Sequence, residues 1–595
     1  MSAEEPRPSA ATIGARVAAL RATFVALGVD GVIVPHEDAY QSETLPPSEE
    51  RLAHVTGFTG SAGRAIILGD AALFLTDGRY TLQASQQVPD LFTVLSDEAS
   101  AKAWMAEHLA GRTLGVDPNL HTRADLERLA TRAAGLALVR LDRNPVDAIW
   151  SDRPPAPRGA VRAHPERLAG RSAAQKVEDL RATLDPEADA LYVADSDTVS
   201  WLLNWRGTDV AHTPLVLSRA FVPRDGAVSV FVDPGKVPDA LRDAADGLLS
   251  LVPADDHLAH LAALSAGRRV LADPARASDA ALAAIAASGT LVARGDPSVR
   301  LKAIKNAAEV EGMRAAHRRD GLALLRFLAW FEDRAVGADE LSLVERLAEL
   351  RKDVGALGPS FDTIAGAGPN GAIVHYRADG ESNRAIAAGD PVLVDSGAQY
   401  EDGTTDVTRT LVAGGGAGSE AFRLQYTRVL RGHIAIARQL FPEGTSGAEL
   451  DPLARAALWS AGSDYKHGTG HGIGAALAVH EAGAGLSKRS RDPLEAGMIV
   501  SNEPGDYRPG EFGIRIENLY LVRERRVPPG GTLPMHAFEA LTLAPIDTRP
   551  VVPALMRPEE IAWLDAYHAR VHGALAADLS ASERAFLAER TRPMT

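Results

Sequence analysis

The sequence predicts an α/β and α+β multidomain protein, with two related α/β domains followed by a third, strand- and glycine-rich unit. Three observations carry this. At 595 residues the chain exceeds what one hydrophobic core holds, so two to four domains are expected. A helical pattern, a short apolar strand and a glycine-punctuated segment follow one another twice in the N-terminal half. From Ser360 onward the texture changes to short strands, glycines and isolated acids or histidines.

The first copy of the repeated order is VAALRATFVALGVDGVIVP, and the second, beginning at Val177, is VEDLRATLDPEADALYVAD. Both contain LRAT, at Leu20–Thr23 and Leu180–Thr183. Each leads into glycine punctuation, GFTGSAG at Gly57–Gly63 and WLLNWRG at Trp201–Gly207, and then into apolar strands such as Ala65–Leu68 and Pro214–Leu217. The proline-rich DRPPAPRGA at Asp152–Ala160 separates them. A third unit begins after Gly295, where Asn306 and Glu309 form a capping box ahead of the long amphipathic run EVEGMRAAHRRDGLALLRFLAWFED. The tail after Pro528 ends in a helix around Glu559–Leu575. The expected divisions are 1–155, 156–297, 298–528 and a C-terminal extension, 529–595.

Composition excludes several function classes. A hydrophobic fraction of 46% and a charged fraction of 24% are ordinary for a globular protein. The net charge of −15 speaks against nucleic acid or an anionic membrane as partner. MSAEEPRPSAATIGARVAALRA lacks the apolar stretch of a secretory signal, and no apolar run is expected to approach membrane-spanning length. The absence of cysteine removes disulfides, thiolate metal sites and a cysteine nucleophile, and a cytoplasmic location is the simple expectation. Gly470, Gly472 and Ala475 formally satisfy a GxGxxA fingerprint, but no apolar strand precedes it and no clear crossover helix follows. No G-x-S-x-G elbow stands out.

The chemistry concentrates in four short runs. In HGTGHGIG, His467 and His471 are spaced like the ligands of a zinc helix, yet four interior glycines would cost a helix about 4 kcal/mol. An extended chain sets residues four apart about 13 Å from each other, too far to share one ion. In PVLVDSGAQYEDGTTDVTRTLV (391–412), Val392–Asp395 and Asp406–Val412 read as a hairpin. A turn centred on Asp402-Gly403 pairs Gln399 with Asp406, whereas a wider loop centred on Tyr400-Glu401 sets Asp395 opposite Asp406. Both registers leave the aspartates on one face, and only the wider loop or a bulge brings them together. Glu503 closes MIVSNEPG, and in GIRIENLYLV a continuous strand would aim Arg515 and Glu517 the same way. All four acids lie among apolar residues, and buried carboxylates require cations. Four carboxylates and one imidazole, without thiolate, suit two divalent ions, with manganese, cobalt or zinc preferred, and a bridging hydroxide as nucleophile.

In order, VDSGAQYEDGTTDVTRT, HGTGHGIG, SNEPG and GIRIEN resemble the catalytic domain of the aminopeptidase P (Xaa-Pro aminopeptidase) family, within the creatinase/methionine aminopeptidase "pita-bread" superfamily. KNAAEVEGM, PSFDTIAGAGPNGAIVHY, FEALTLAP, TGFTGSAGRAII, TDGRY and WLLNWRG extend the resemblance to the three-domain form over nearly the whole chain. It implies two creatinase-type α/β domains before a pita-bread catalytic domain, a homodimer, two metal ions per subunit with manganese foremost, and removal of an N-terminal residue that precedes proline. It further implies that Asp395 binds one metal, that His471 and Glu503 bind the other, and that Asp406 and Glu517 bridge both. Glu503 would shuttle a proton, and His375 and His480 would hydrogen-bond the scissile carbonyl. His467 would lie on the substrate side, Tyr507 and Arg515 would support the site, and Arg79 of TDGRY would reach the catalytic cleft. Proline as a specificity element has a physical logic, because an Xaa-Pro bond has no N–H for a peptidase to grip. Prolidase-type cleavage of Xaa-Pro dipeptides is the nearest alternative. Metal-free creatinase-type hydrolysis and a noncatalytic peptide-binding module both fit an intact ligand set poorly.

Overall fold

Leu20 and Leu180 are both fully buried, and the LRAT tetrapeptides around them do the same work twice. A computed structural model of the chain describes residues 7–245 and 247–594. It divides into two compact units, the second comprising Glu166–Gly170, His212–Pro214 and everything from Val299 onward.

The first unit holds two six-stranded sheets. Strands β1 (Gly31–Pro35), β2 (Arg64–Leu68), β3 (Ala72–Leu75), β4 (Thr93–Leu95), β5 (Thr113–Val116) and β6 (Ala137–Arg140) are ordered β4-β3-β2-β1-β5-β6. Strands β7 (Ala190–Val193), β8 (Arg219–Pro223), β9 (Val228–Phe231), β10 (Leu249–Val252), β11 (Arg269–Ala272) and β12 (Thr290–Ala293) are ordered β10-β9-β8-β7-β11-β12. In each sheet the first three strands are antiparallel neighbours and the outer pairings are parallel. One topology therefore occurs twice. Both LRAT segments end or follow the helix that leads into it, Ala10–Arg21 and Ala173–Thr183. Arg21 Nε donates to Leu68 O (2.8 Å) and Nη2 to Ala71 O (3.2 Å), capping the β2–β3 turn. Arg181 does the same at the β8–β9 turn, through Pro223 O (3.0 Å) and Gly226 O. Thr23 and Thr183 each return a hydroxyl to the leucine carbonyl three residues back, at 2.7 Å in both cases.

Two expectations need correcting here. Pro214–Leu217 is not a strand, because side chains take its amides: Ser200 Oγ accepts from Val216 and Asp209 Oδ2 from Leu217, and pairing starts at Arg219. Ala10–Leu27 does have the length of a membrane span and a mean hydropathy of 1.4. It folds instead as two helices, Ala10–Arg21 and Phe24–Leu27, with Ile13, Val17, Leu20 and Phe24 in the core of the first sheet. Arg16 and Arg21 on its flanks bond the carbonyls of His54 and Leu68.

The second unit opens with the long helix Ala307–Arg334, whose Asn306–Glu309 capping box is formed as expected. Strands β13 (Ile364–Ala367), β14 (Pro391–Ser396) and β15 (Val407–Val412) make one antiparallel sheet. A second runs β17-β16-β18-β21-β22, from β16 (Gly470–Gly472), β17 (Glu481–Leu486), β18 (Ile499–Asn502), β21 (Asn518–Val522) and β22 (Phe538–Ala540). Between them lies the hairpin β19 (Gly505–Arg508) with β20 (Phe512–Arg515). Phe327, Leu328 and Phe331 of the long helix pack on the first sheet. Phe422, Tyr426 and Leu430 of helix Glu420–Ala437 share a core with Val500, Ile516 and Tyr520, joined by Leu564 and Val571 of the helix Pro558–Leu575.

If LRAT is one device used twice, Leu20→Ala and Leu180→Ala should each destabilise the first unit by about 2–5 kcal/mol. Urea unfolding followed by tryptophan fluorescence measures this, and a loss under about 1 kcal/mol at either site would contradict it.

Candidate metal centre

Two antiparallel pairs deliver the acids. In β14–β15 Asp395 lies opposite Thr408 and Ser396 opposite Val407. This register falls midway between the two alternatives read from the sequence, and no bulge is involved. The Tyr400–Gly403 turn, closed by Tyr400 N–H on Gly403 O at 2.8 Å, fixes it. Asp406, two residues from Thr408 on the same face, is therefore diagonal to Asp395, a spacing of about 7–8 Å at the backbone that side chains can close. In β18–β21 the last pair is Asn502 with Asn518, and Glu503 and Glu517 are the next residues outward in that register. His471 occupies the middle of β16, beside β18.

The glycines flanking His471 have a steric reason. A Cβ on Gly470 would stand 1.9 Å from Ser501 O, and one on Gly472 would stand 2.4 Å from Glu481 O. No helix follows GxGxxA, so that fingerprint is a strand packed tightly between two others. The continuous strand expected through GIRIEN is corrected. β20 stops at Arg515, pairs with β19 and hands over to β21 at Asn518, so Glu517 belongs to neither ladder. Arg515 and Glu517 meet all the same, at Thr408: Arg515 Nε donates to Thr408 Oγ1 (3.2 Å), which donates to Glu517 Oε2 (2.8 Å).

The ligand atoms of Asp406, His471 and Glu517 lie within 4.8 Å of one another. His471 Nδ1 donates to Gly472 O (3.0 Å), which turns Nε2 to Asp406 Oδ2 and Glu503 Oε1, each at 3.5 Å. Asp395 Oδ2 receives Arg515 Nη2 at 2.6 Å. The second oxygens, Asp395 Oδ1, Asp406 Oδ1 and Glu517 Oε1, are buried and find no donor among the described residues. Buried acceptors are normally satisfied, so these three, with one imidazole nitrogen, fit a divalent cation as their missing partner. The electrostatics agree. Burial pushes the Asp395 and Glu517 carboxyls above their ordinary values and lifts Glu503 to about 7, and neighbouring Arg515 does not cancel it. For His471 burial opposes the charged form, but Asp406 and Glu503 outweigh it and raise the imidazole to about 9.

Of the other expected residues, His375, His467, His480, Tyr507 and Arg515 belong to the second unit and Arg79 to the first. Arg515 Nη1 donates to Tyr507 OH (2.7 Å), which donates to His467 Nε2 (2.8 Å), while His467 Nδ1 bonds Gly468 O (2.7 Å). The two histidines of HGTGHGIG thus face different partners. His480 presents its ring edge-on to His471, with centroids 4.2 Å apart. Val374 O accepts from Arg515 Nη2 at 3.2 Å, which ties the backbone beside His375 to the same guanidinium. Arg79 lies in the first unit, paired with Asp77 (2.7 Å) over the Tyr80 ring. Sequence reasoning missed three residues. Thr408 joins Arg515 to Glu517, Ser501 Oγ accepts from the His471 amide (3.0 Å) and bonds Glu503 (3.3 Å), and Arg409 is buried behind Glu517. Thr408 was findable, since it follows Asp406 by two and so shares its face.

Comparison with known proteins bears on the same residues. Residues 311–524 match metallopeptidase family M24, residues 16–149 and 152–309 each match a creatinase/prolidase N-terminal domain, and residues 534–594 match the C-terminal region of peptidase M24. The "Probable Xaa-Pro aminopeptidase P" of Paracoccidioides brasiliensis is 38% identical over 586 residues, 93% of this chain and 95% of the relative. Aminopeptidase P2 of Arabidopsis thaliana is 38% identical over 617 residues, 96% of this chain and 86% of the relative.

This chain belongs to the aminopeptidase P family.

A solved X-prolyl aminopeptidase of Caenorhabditis elegans, described as a cytosolic enzyme with a di-nuclear active site, is 34% identical with a TM-score of 0.92. The similarity covers 98% of this chain and 100% of that one. As in that family, two creatinase-type domains precede an M24 pita-bread domain.

Metal removal from this aminopeptidase P family member should expose the cost of the carboxylate cluster. Glu503 rises from 4.5 to about 7, so the metal-free fold holds a proton there that the unfolded chain releases. That stabilisation is complete below about 4.5 and disappears as the pH rises through about 7. Chelator-treated protein should therefore lose thermal stability across this window, and added Mn²⁺ should restore most at the alkaline end. A metal-free unfolding midpoint that does not fall there would contradict the account.

Proposed function

We propose that this chain is a metal-dependent Xaa-Pro aminopeptidase that removes the N-terminal residue from peptides with proline in the second position. One observation carries the reading: Asp395, Asp406 and Glu517 each keep a buried carboxylate oxygen without a donor among the described residues, and Asp406 and Glu517 gather with His471, in a chain 38% identical to an aminopeptidase P over 93% of its length. Asp395, Asp406, His471, Glu503 and Glu517 would hold the two ions. Manganese is preferred, with cobalt or zinc as alternatives, on the hardness of the donor set. When bound, the ions supply Lewis acidity and lower the pKa of water.

The chain's own groups do the rest. Glu503, held by Ser501 beside His471, takes the proton of the attacking water and delivers it to the departing proline nitrogen. His375 and His480 donate to the scissile carbonyl as negative charge develops on its oxygen. His467, through Tyr507 and Arg515, orients the substrate side. In the bound substrate that nitrogen carries no hydrogen, so binding uses no hydrogen bond from it, and the proton that Glu503 delivers is its first. We further propose the division 1–155, 156–297, 298–528 and 529–595, to which the separate family matches lend support. A homodimer in the cytoplasm is our reading for the assembly and location; the similar Caenorhabditis elegans enzyme is described as cytosolic.

Metal-stripped protein reconstituted with Mn²⁺, Co²⁺ or Zn²⁺ should release one residue from Xaa-Pro-Yaa-Zaa peptides and act far more slowly on Xaa-Pro dipeptides, as followed by chromatography. Dipeptide preference would turn the assignment to a prolidase. Glu503→Gln should lower kcat by about 10²–10⁴-fold, and near-normal turnover would remove Glu503 from the mechanism.

A further inference from the structure

Glu517 lies at a break between strands, and its backbone needs partners that no ladder supplies. Its N–H donates to Thr408 O (3.1 Å). Its carbonyl accepts from Arg409 Nη1 (2.6 Å), which also bonds Thr408 O (2.8 Å). Arg409 Nη2 holds the next side chain, Asn518 Oδ1, at 2.8 Å. The remaining donors of the same buried guanidinium reach the C-terminal extension: Nε to Pro545 O (2.9 Å), and Nη2 to Ala544 O (2.8 Å) and Tyr567 OH (3.2 Å). Tyr567 OH donates to Ala544 O (2.8 Å), from the middle of the helix Pro558–Leu575.

We propose that Arg409 is a positioning residue for Glu517, and that through Arg409 and Tyr567 the C-terminal extension sets the geometry of the metal centre. Arg409 has five N–H groups in a rigid fork, and every one is committed either to the Thr408–Asn518 side or to the C-terminal side. A displacement of the 544–545 segment is thus carried to the Glu517 carbonyl across a single planar group. Glu517 Oε2 is meanwhile fixed by Thr408, whose carbonyl Arg409 also holds, so backbone and carboxylate move as one body. A lysine at 409 offers a single donor atom and cannot span both sides. This inference rests on the reading of Glu517 as a metal ligand.

Co²⁺ titration of the full-length, metal-stripped protein, followed by visible absorption and bound-metal stoichiometry, tests it alongside thermal unfolding. Arg409→Lys should weaken cobalt binding by about 10–100-fold and shift the visible bands, and Tyr567→Phe by about threefold or more in the same direction. Leu587→Ala, fully buried in the same extension and taking no part in the Arg409 hydrogen bonds, should lower the unfolding temperature and leave cobalt affinity unchanged. Wild-type cobalt affinity and bands in Tyr567→Phe would overturn the proposal, and that variant decides alone should Arg409→Lys fail to fold. An equal loss of affinity in Leu587→Ala would also overturn it, by showing general loosening. Wild-type protein that binds no cobalt would instead remove the metal reading of Glu517 itself.

Discussion

Mutual repulsion among Asp395, Asp406, Glu503 and Glu517 is the constraint on which the second unit is organised. Buried carboxylates repel one another strongly at low dielectric, and among the described residues a single arginine, Arg515, touches a ligand oxygen directly. The chain meets the constraint by division. Each acid comes from a different strand end, and each is fixed by its own backbone before its charge meets the others. Asp395 and Glu517 commit one oxygen to a protein donor and leave the other buried without one. The fold accordingly holds these oxygens in place at a cost in stability that a cation removes.

Much of this was legible in the sequence, and the failures have identifiable causes. The Asn306–Glu309 box and the helix behind it are local, so pattern sufficed. LRAT marked a real duplication because a leucine, an arginine and a threonine each recur in one geometric role. The hairpin register was not legible. Strands alternate with period two, so registers two residues apart satisfy the same hydrophobic pattern, and the turn hydrogen bonds decide among them. The break after Arg515 was hidden for a similar reason: Ile514 and Ile516 are both buried, and alternation continues across a point where the pairing partner changes. Pro214–Leu217 looked like a strand by composition, but nothing in composition reveals that Ser200 and Asp209 take its amides.

HGTGHGIG shows how a correct conclusion can rest on an incomplete reason. Helix propensity argues for an extended or looped segment, and it holds a strand at Gly470–Gly472 with no helix. Propensity says why glycine is poor in a helix but not why a strand should contain so many. The cause is tertiary. β16 lies so close to Ser501 O and Glu481 O that a methyl group at Gly470 or Gly472 has no space. Close packing sets His471 beside β18, within reach of the residue that follows it, Glu503. The spacing of the two histidines then follows from the strand, since His467 lies beyond its end and bonds Tyr507.

Arg515 links the two sides of this arrangement. Its Nη2 holds Asp395 and the Val374 carbonyl, its Nη1 holds Tyr507 and through it His467, and its Nε holds Thr408 beside Glu517. A planar guanidinium cannot satisfy one of these partners by turning away from another, so the groups expected to meet substrate and the carboxylates expected to meet metal are oriented together. Arg409 stands on the opposite side of Glu517 and plays the complementary part toward the C-terminal extension. Between them the two arginines fix Thr408 from both directions, Arg515 at its hydroxyl and Arg409 at its carbonyl. An uncharged threonine is therefore the point at which the electrostatics of the carboxylate cluster and the packing of the chain's end meet.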